Sequence, residues 1–258
     1  MTRLHSFGLA VALSTTLFAA PALAQVSDDT IAANTGGNIA VHAIGHAALT
    51  LSWNGQTILV DPAPQQGSDA AATLAMLRGM TAPTIILVTD VHGDHMNADV
   101  LAGVAGNARI VAPQAVADGL PEAVKAKTTV LANGASTTIN GVQIEAIPMY
   151  NISEGRTNFH TKGRGNGYVL TMGGKRIYIA GDTEDIPEMR ALQNIDAAFL
   201  PMNLPYTMDV QHAADAVRAF RPAAVYPYHY RGMNGLSDLD AFAAQVGNAS
   251  MVKRLKWY

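Results

Sequence analysis

The chain has 258 residues, no cysteine and a formal net charge of −3, and 49% of its residues are hydrophobic. This is the balance of a globular protein, with enough apolar residues for one large core or two small ones. Without a basic tract, nothing points to nucleic acid or to an anionic membrane surface as a partner. Without cysteine, a metal site in this chain has no thiolate ligand.

The first 24 residues have the pattern of a signal peptide. Arg3 supplies a positive charge, residues 7–20 form an apolar run, and Ala22-Leu23-Ala24 is a small-residue cleavage site. An N-terminal membrane anchor is the alternative, but the apolar run is short for a membrane span. We therefore expect a periplasmic or secreted protein whose mature chain starts at Gln25, with no stable membrane insertion after cleavage.

Residues 25–37 are small and polar and predict a loose leader, whereas residues 38–258 contain no linker and predict a single domain. Three β-hairpins are predicted, with tight turns at Asn54-Gly55, Asn140-Gly141 and Gly173-Gly174. Further strands are predicted over residues 39–44, 84–89, 110–112, 197–200, 223–226 and 252–255, and helices over residues 69–77, 97–104, 113–125, 187–192, 209–220 and 238–246. Because hairpins come first in each half and strands then alternate with helices, we expect two mixed β-sheets packed face to face with helices outside, an αββα sandwich of the α/β (α+β) class.

One stretch between a predicted strand and a predicted helix carries four side chains that can bind metal: Asp90, His92, Asp94 and His95. Open α/β sheets place their sites at such strand ends. Asp90 and His92 are two positions apart and point the same way in an extended segment, so they can converge on one ion. Asp94 and His95 diverge and suit a second ion alongside. A polar turn is the alternative, but four such residues in this order favour a metal site for zinc, or for manganese or iron.

Three further candidate ligands, His160, Asp182 and His229, are predicted to lie on loops that follow strands. With the four above they make seven, and the order resembles that of the metallo-β-lactamase superfamily of two-metal hydrolases. That family carries His-x-His-x-Asp-His after a strand, then a His, a Gly-Asp bridging carboxylate and a late His. The resemblance covers residues 38–230 and implies the metallo-β-lactamase-like sandwich.

Within the superfamily, the chain looks closest to the branch of ascorbate-6-phosphate lactonase-like proteins and phospholipase-D-type phosphodiesterases. The similar stretches are Ile44-Gly45-His46-Ala47, residues 165–169 and residues 206–209. The resemblance implies a metal-dependent hydrolase in which two divalent ions share a hydroxide that cleaves an ester, lactone or phosphodiester bond of a small molecule. Together with the signal-peptide pattern, this predicts an exported hydrolase. It is specific for the fold and the metal site, and poor for the substrate.

The resemblance also implies roles for individual residues. One ion would take Asp90, His92 and His160, the other would take Asp94, His95 and His229, and Asp182 would bridge them. Asp94 could also orient the attacking water, and His46 would lie close to the site with a supporting or substrate-binding role, a packed histidine being the alternative.

The departure from the family pattern is Asp90, where a histidine is usual. Because a carboxylate is a harder ligand than imidazole, the first ion site is expected to hold zinc less tightly or to accept manganese or iron. Decayed activity is the other interpretation, although the six other ligands are intact.

Other polar residues have simpler interpretations. Asp61 is expected to be a structural carboxylate that accepts hydrogen bonds from loop amides. His42 is expected to be a structural residue and His212 a surface residue. Tyr206, Tyr228 and Tyr230 are expected to be packing residues, with a position lining the cleft as the alternative. Lys162, Arg164 and Arg231 lie near the late histidines and could pair with a phosphate or carboxylate, or could be solvated loop charges.

Two other functions compete with this one. A β-lactamase would suit an exported member of the superfamily, but the motif details point to another branch. A non-catalytic metal- or partner-binding protein that kept the fold is the second. The oligomeric state is not predicted.

Overall fold

The structure is a computed structural model that describes residues 28–64 and 67–258. The predicted signal peptide and its cleavage site before Gln25 lie outside the described residues. Within them, two seven-stranded sheets carry helices on their outer faces, so the predicted αββα sandwich is confirmed.

The first sheet contains the N-terminal half of the chain. Its strands are β1 (Asp28–Ile31), β2 (Ile39–Gly45), β3 (Ala48–Trp53), β4 (Gln56–Val60), β5 (Ile85–Leu87), β6 (Arg109–Ala112) and β7 (Thr128–Val130), and they lie in that order across the sheet. Strands β1 to β4 are antiparallel, whereas β4 to β7 are parallel. The helices of this half are α1 (Ala70–Arg78), α2 (Ala98–Val104), α3 (Gln114–Asp118) and α4 (Glu122–Lys125).

The second sheet repeats this plan. Its strands are β8 (Ser136–Ile139), β9 (Val142–Met149), β10 (Gly165–Met172), β11 (Lys175–Ile179), β12 (Ala197–Pro201) and β13 (Ala224–Tyr228). A short ribbon, β14 (Arg231–Gly232) with β15 (Gly235–Leu236), precedes the last strand of the sheet, β16 (Met251–Val252). Strands β8 to β11 are antiparallel, and β11, β12, β13 and β16 are parallel. The helices are α5 (Pro187–Arg190), α6 (Val210–Phe220) and α7 (Leu239–Val246).

The core between the sheets follows from the alternation of buried and partly exposed residues along the strands. In β2 every second residue is buried, which places one face of the strand inside. Leu51 of the first sheet and Leu170 of the second belong to one apolar cluster and are fully buried. Truncating a leucine in such a place to alanine costs about 2–5 kcal/mol of stability. The hydroxyl of Tyr168 donates to the carbonyl of Val88 at 2.8 Å, a polar link between the two halves.

Several local predictions need correction. The leader is not loose throughout, because residues of β1 pair with β2 in antiparallel register; edge pairing with a distant strand leaves no mark in local composition. Residues 113–125 form two short helices instead of one, with Gly119 ending α3 and Pro121 preceding α4. The last strand is shorter than predicted, and β7 and the β14–β15 ribbon were not predicted. The polar, glycine-rich residues 150–167 predict a loop, but β10 already begins at Gly165. No helix in the described part of the chain combines the length and the apolarity that a membrane span requires.

Candidate metal centre

The candidate ligands meet at one edge of the sandwich because the strands that precede them end there. Asp90 lies three residues after β5, Asp182 lies three residues after β11, and His229 follows β13 directly. His160 comes from the long loop between β9 and β10. The structure brings all seven predicted ligands together in two groups.

The second cluster is defined here as Asp94, His95, Asp182 and His229, whose ligand atoms all lie within 4.8 Å of one another. Nε2 of His95 lies 3.3 Å from Oδ2 of Asp182. Nε2 of His229 lies 3.3 Å from Oδ1 of Asp182 and 3.3 Å from Oδ2 of Asp94. The group thus combines two imidazole nitrogens with two carboxylates, which is a donor set for a divalent transition-metal ion.

The first cluster is Asp90, His92 and His160, again within 4.8 Å of one another. Oδ2 of Asp90 lies 2.9 Å from Nδ1 of His92 and 3.8 Å from Nε2 of His160. Asp182 also reaches this cluster, because its Oδ2 lies 3.2 Å from Nε2 of His160. The carboxylate expected to bridge two ions therefore contacts both clusters.

Two observations show that these residues fit a cation. Nε2 of His95 and Nε2 of His229 face each other at 3.2 Å, an arrangement that suits two lone pairs directed at one ion. Oδ1 of Asp182 is buried and has no hydrogen-bond partner among the described residues. A buried carboxylate oxygen without a hydrogen bond is costly unless a positive charge compensates it.

The facing histidines lower the pKa values of the three carboxylates in the two clusters. Burial alone would raise their pKa values, but the facing histidines reverse its effect. His229 and His95 hold the pKa of Asp182 well below its usual range. His95, with hydrogen bonds from His229 and His46, likewise lowers the pKa of Asp94, and His92 lowers that of Asp90.

Asp61 orients His95 from behind. Its Oδ2 lies 2.9 Å from Nδ1 of His95, and its two oxygens also accept from the backbone N–H and the hydroxyl of Thr89. The prediction of a structural carboxylate that binds a loop amide is confirmed. Because Nδ1 is engaged, Nε2 of His95 is the nitrogen that points at the second cluster, as a carboxylate behind a metal-binding histidine commonly ensures.

His46 lies at the second cluster, as the resemblance implied. Its Nε2 is 3.1 Å from Oδ2 of Asp94, and its ring centroid is 3.8 Å from that of His229. The backbone holds it there, because the carbonyl of His46 accepts from the N–H of His229 at 3.1 Å. His46, Asp61 and His229 all have positive φ angles. Each such conformation of a non-glycine residue costs on the order of 1–3 kcal/mol, a strain that clusters at functional sites.

The loop that carries Asp182 depends on a glycine. Gly181 has a φ of +65°, and a Cβ on it would lie 2.5 Å from the sulfur of Met149 and 3.0 Å from Cβ of Thr89. Its N–H donates to the hydroxyl of Tyr228 at 2.9 Å. Tyr228 is therefore a buried packing residue, as predicted, that also fixes the turn before Asp182.

The three basic residues near the late histidines have different surroundings. Lys162 forms an ion pair with Glu188 at 2.8 Å, and its side chain is 61% exposed. Arg164 binds Asp90 and is part of the environment of the first cluster. Only Arg231 among the three lines the cavity, where its guanidinium carbon lies 4.4 Å from the ring centroid of Tyr258.

A cavity of about 650 Å³ opens onto both clusters. Its floor includes His92, Asp94, His160, Asp182 and His229, and its wall includes Phe159, Tyr206, Arg231 and Met233. Tyr206 therefore contributes to the cavity, whereas Tyr230 is buried. His212 lies outside the clusters, hydrogen-bonded to Asp209, which caps α6. Pockets of this size bind small molecules.

Sequence reasoning missed three supporting contacts. Asn151 holds the loop of His160, because its N–H donates to the carbonyl of His160 at 2.8 Å. Tyr258 contacts His46. Arg164 contacts the side chain of Asp90, whereas the sequence suggested a phosphate or carboxylate as its partner. Each of these pairs, apart from the first, joins residues far apart in the chain, and no local pattern marks them.

Comparison with known proteins agrees with this geometry. Residues 40–229 match the family model of the beta-lactamase superfamily domain. A UPF0173 metal-dependent hydrolase of Pyrococcus abyssi is 33% identical over 225 residues, which cover 84% of this chain and 96% of that protein. The crystal structure of a proposed metal-dependent hydrolase from Parabacteroides distasonis aligns with a TM-score of 0.79 and 35% identity, covering 91% of this chain and 100% of the other.

A more distant structure shows the same fold. The metallo hydrolase Igni18 of Ignicoccus hospitalis aligns with a TM-score of 0.69 at 22% identity and covers 84% of this chain and 95% of its own. The family match spans the stretch from β2 to His229, and so includes all seven residues of the two clusters. The chain belongs to the metallo-β-lactamase superfamily and is a metal-dependent hydrolase.

Proposed function

We propose that the mature protein binds two divalent ions, zinc in the first place and manganese or iron as alternatives, and hydrolyses a small ester, lactone or phosphodiester outside the cytoplasm. The observation that carries the proposal is the position of Asp182, whose oxygens lie 3.2 Å from His160 and 3.3 Å from both His95 and His229. One carboxylate in contact with ligands of both clusters is what a bridged pair of ions requires.

The chemistry divides between the ions and the chain. Two bridged ions lower the pKa of a shared water and stabilise charge on the attacked centre when they are bound. The chain supplies Asp94, whose side chain is 41% exposed and therefore accessible to a water or a substrate in the cavity. His46 holds Oδ2 of Asp94 and limits the directions in which that carboxylate can accept a proton or a hydrogen bond.

The cavity supports a small substrate with an anionic group. Arg231 provides a positive charge in the cavity lining, where its guanidinium packs on the ring of Tyr258. Phe159, Tyr206 and Met233 provide apolar contact area at the same wall. A substrate that joins a carboxylate or phosphate to an apolar part would contact both.

The proposed location rests on the sequence of residues 1–24, which has the charged start, apolar run and cleavage site of an exported protein. Export also sets the conditions of the test, because the protein should be purified as the mature chain from the periplasmic or secreted fraction.

The test is a substrate panel with metal analysis. Metal-loaded mature protein would be given aryl phosphodiesters, lactones and a chromogenic cephalosporin, with and without chelator. We expect about two ions per chain by elemental analysis, and chelator-sensitive turnover of a phosphodiester or lactone. His229→Ala should abolish turnover, whereas His212→Ala, which removes an exposed histidine from α6, should not change it.

Three outcomes would contradict the proposal or change the assigned function. Cephalosporin turnover far above that of the other substrates would establish a β-lactamase instead. A fully metallated protein that turns over no compound of the panel would favour a metal- or partner-binding role without catalysis. A metal content near zero after supplementation would remove the metal centre itself.

A further inference from the structure

Arg164 hydrogen-bonds to Asp90, the candidate ligand at which this chain departs from the family pattern of a histidine. Its Nε donates to Oδ1 of Asp90 at 3.2 Å, and its Nη2 donates to Oδ2 of Asp90 at 3.0 Å. The same Nη2 donates to the carbonyl of Phe159 and lies 3.3 Å from Nε2 of His92. The guanidinium thus makes a bidentate contact with the carboxylate of Asp90 at the first cluster.

The charges of the two clusters differ because of this contact. Asp90 is fully buried, and a buried carboxylate requires a compensating charge. Arg164 supplies that charge, so with neutral histidines the first cluster and its arginine sum to zero, which is the charge that a histidine at position 90 would give. The second cluster keeps two carboxylates, Asp94 and Asp182, whose ion-pair partners within the described part of the chain are histidines.

We propose that Arg164 is a built-in counter-cation for Asp90 that competes with a metal ion for the same carboxylate. The first cluster is then the weaker and exchangeable site, and the second cluster fills first. The inference rests on the metal centre of the proposed function and adds to it the order of loading and the residue that sets it.

Arg164 and a metal ion compete because both would use the same oxygen of Asp90. Oδ2 of Asp90 is the atom that faces His92 and His160, and it is also the acceptor of Nη2 of Arg164. An ion held by these three residues would lie close to the guanidinium and would be repelled by it. Loading of the first cluster therefore requires that the ion bind against this repulsion or that Arg164 withdraw.

A different role would be positioning, in which Arg164 only holds Asp90 in a ligating orientation. The two roles predict opposite effects when the arginine is removed. A positioning residue strengthens ion binding, so its loss weakens binding, whereas a competing cation weakens ion binding, so its loss strengthens it.

The experiment is a titration of chelator-stripped mature protein with Zn²⁺ against a competing chromogenic chelator. Wild type should show one tight step and one step at least about tenfold weaker. Arg164→Met should tighten the weak step by about tenfold or more and leave the tight step unchanged. Lys162→Met is the matched control, because Lys162 lies two residues away and binds Glu188, and it should leave both steps as in wild type.

A second pair of variants covers the case in which Arg164→Met leaves Asp90 unpaired and does not fold. Asp90→His and Asp90→His/Arg164→Met both lack the buried carboxylate. If Arg164 repels the ion, the double variant binds the weak-step ion more tightly than Asp90→His does. If the two variants bind equally, or if Arg164→Met weakens the step, the counter-cation role is wrong.

The readout separates this inference from the function on which it rests. Wild-type protein that binds no ion at all would contradict the proposed metal centre. Wild-type protein that binds two ions, with a weak step that does not respond to Arg164 in either background, would contradict only the role of Arg164.

Discussion

The phenolic oxygen of Tyr258 lies 2.8 Å from Nδ1 of His46, although 212 positions separate the two residues in the chain. The other ring nitrogen of His46 lies 3.1 Å from Asp94. Tyr258 therefore engages one nitrogen and leaves the other directed at the second cluster, which makes it a positioning residue for His46.

Tyr258→Phe tests whether Tyr258 positions His46. The substitution keeps the ring that stacks with Arg231 and removes only the hydroxyl. We expect kcat to fall by about tenfold with an unchanged metal content, because His46 loses its fixed orientation but no ligand is lost. Steady-state kinetics and elemental analysis check it. Tyr230→Phe is the control, since Tyr230 packs edge-to-face on Tyr258 without contacting His46 through its hydroxyl. A loss of metal in Tyr258→Phe, or an equal effect of Tyr230→Phe, would contradict the positioning role of Tyr258.

Asp61→Asn should weaken the second cluster. An asparagine fills the same space, but it removes the negative charge that faces Nδ1 of His95. It also replaces one of the two carboxylate oxygens that accept hydrogen bonds from Thr89 and His95. We expect binding of the tight ion to weaken by about 10–100-fold, as for other residues that orient a ligand. Metal titration with a competing chelator measures it, and Asp99→Asn, at an exposed position of α2, is the control. Unchanged binding would show that His95 needs no such support.

Substitutions of Asp90 test whether it is a ligand. Asp90→Ala should empty or strongly weaken the first cluster, because it removes the carboxylate that belongs to this cluster alone and leaves two histidines with only the shared Asp182. Asp90→His should retain an ion and shift the preference of the cluster toward zinc, because imidazole is the softer donor. Metal content after loading with mixed zinc and manganese checks both. Equal occupancy in wild type and Asp90→Ala would mean that Asp90 does not bind the ion.

Arg231→Met should distinguish anionic from neutral substrates. The guanidinium lines the cavity, and methionine keeps most of the side-chain volume while removing the charge. We expect KM for a carboxylate- or phosphate-bearing substrate to rise by about tenfold, and KM for its neutral analogue to change little. Kinetics on such a matched substrate pair measure the difference. An equal rise for both substrates would indicate a packing role for Arg231.

Export predicts a defined mature N-terminus. Cleavage after Ala24 leaves Gln25 as the first residue, and intact-mass spectrometry of the exported fraction measures this directly. Replacing the two alanines at 22 and 24 by large residues should slow or stop processing, because the cleavage site requires small side chains. An exported protein that retains Met1 would contradict cleavage.

Much of the site follows from local pattern. The spacing of Asp90 and His92 places both side chains on one face, and the burial of the preceding strand places them at the end of β5. Hairpin turns, such as that at Asn54-Gly55, mark the strand order of each half. These are short-range properties, because the periodicity of a strand and the φ preference of a turn are set by a few neighbouring residues. The sequence by itself therefore determined the sandwich and the set of candidate ligands, while the role of each ligand is what the family resemblance implies.

Only the tertiary structure decided how the ligands are supported. The contacts of Asp61 with His95, of Arg164 with Asp90 and of Tyr258 with His46 join residues 34, 74 and 212 positions apart. Each contact depends on which strand ends the packing of two sheets brings together, and composition and periodicity carry no record of it. The same packing brings β1 to the edge of the first sheet, which a polar leader does not predict. Which residues are candidate ligands can thus be read from short stretches of sequence. The orientation of each ligand, and the charge of Arg164 that faces Asp90, depend on the folded chain.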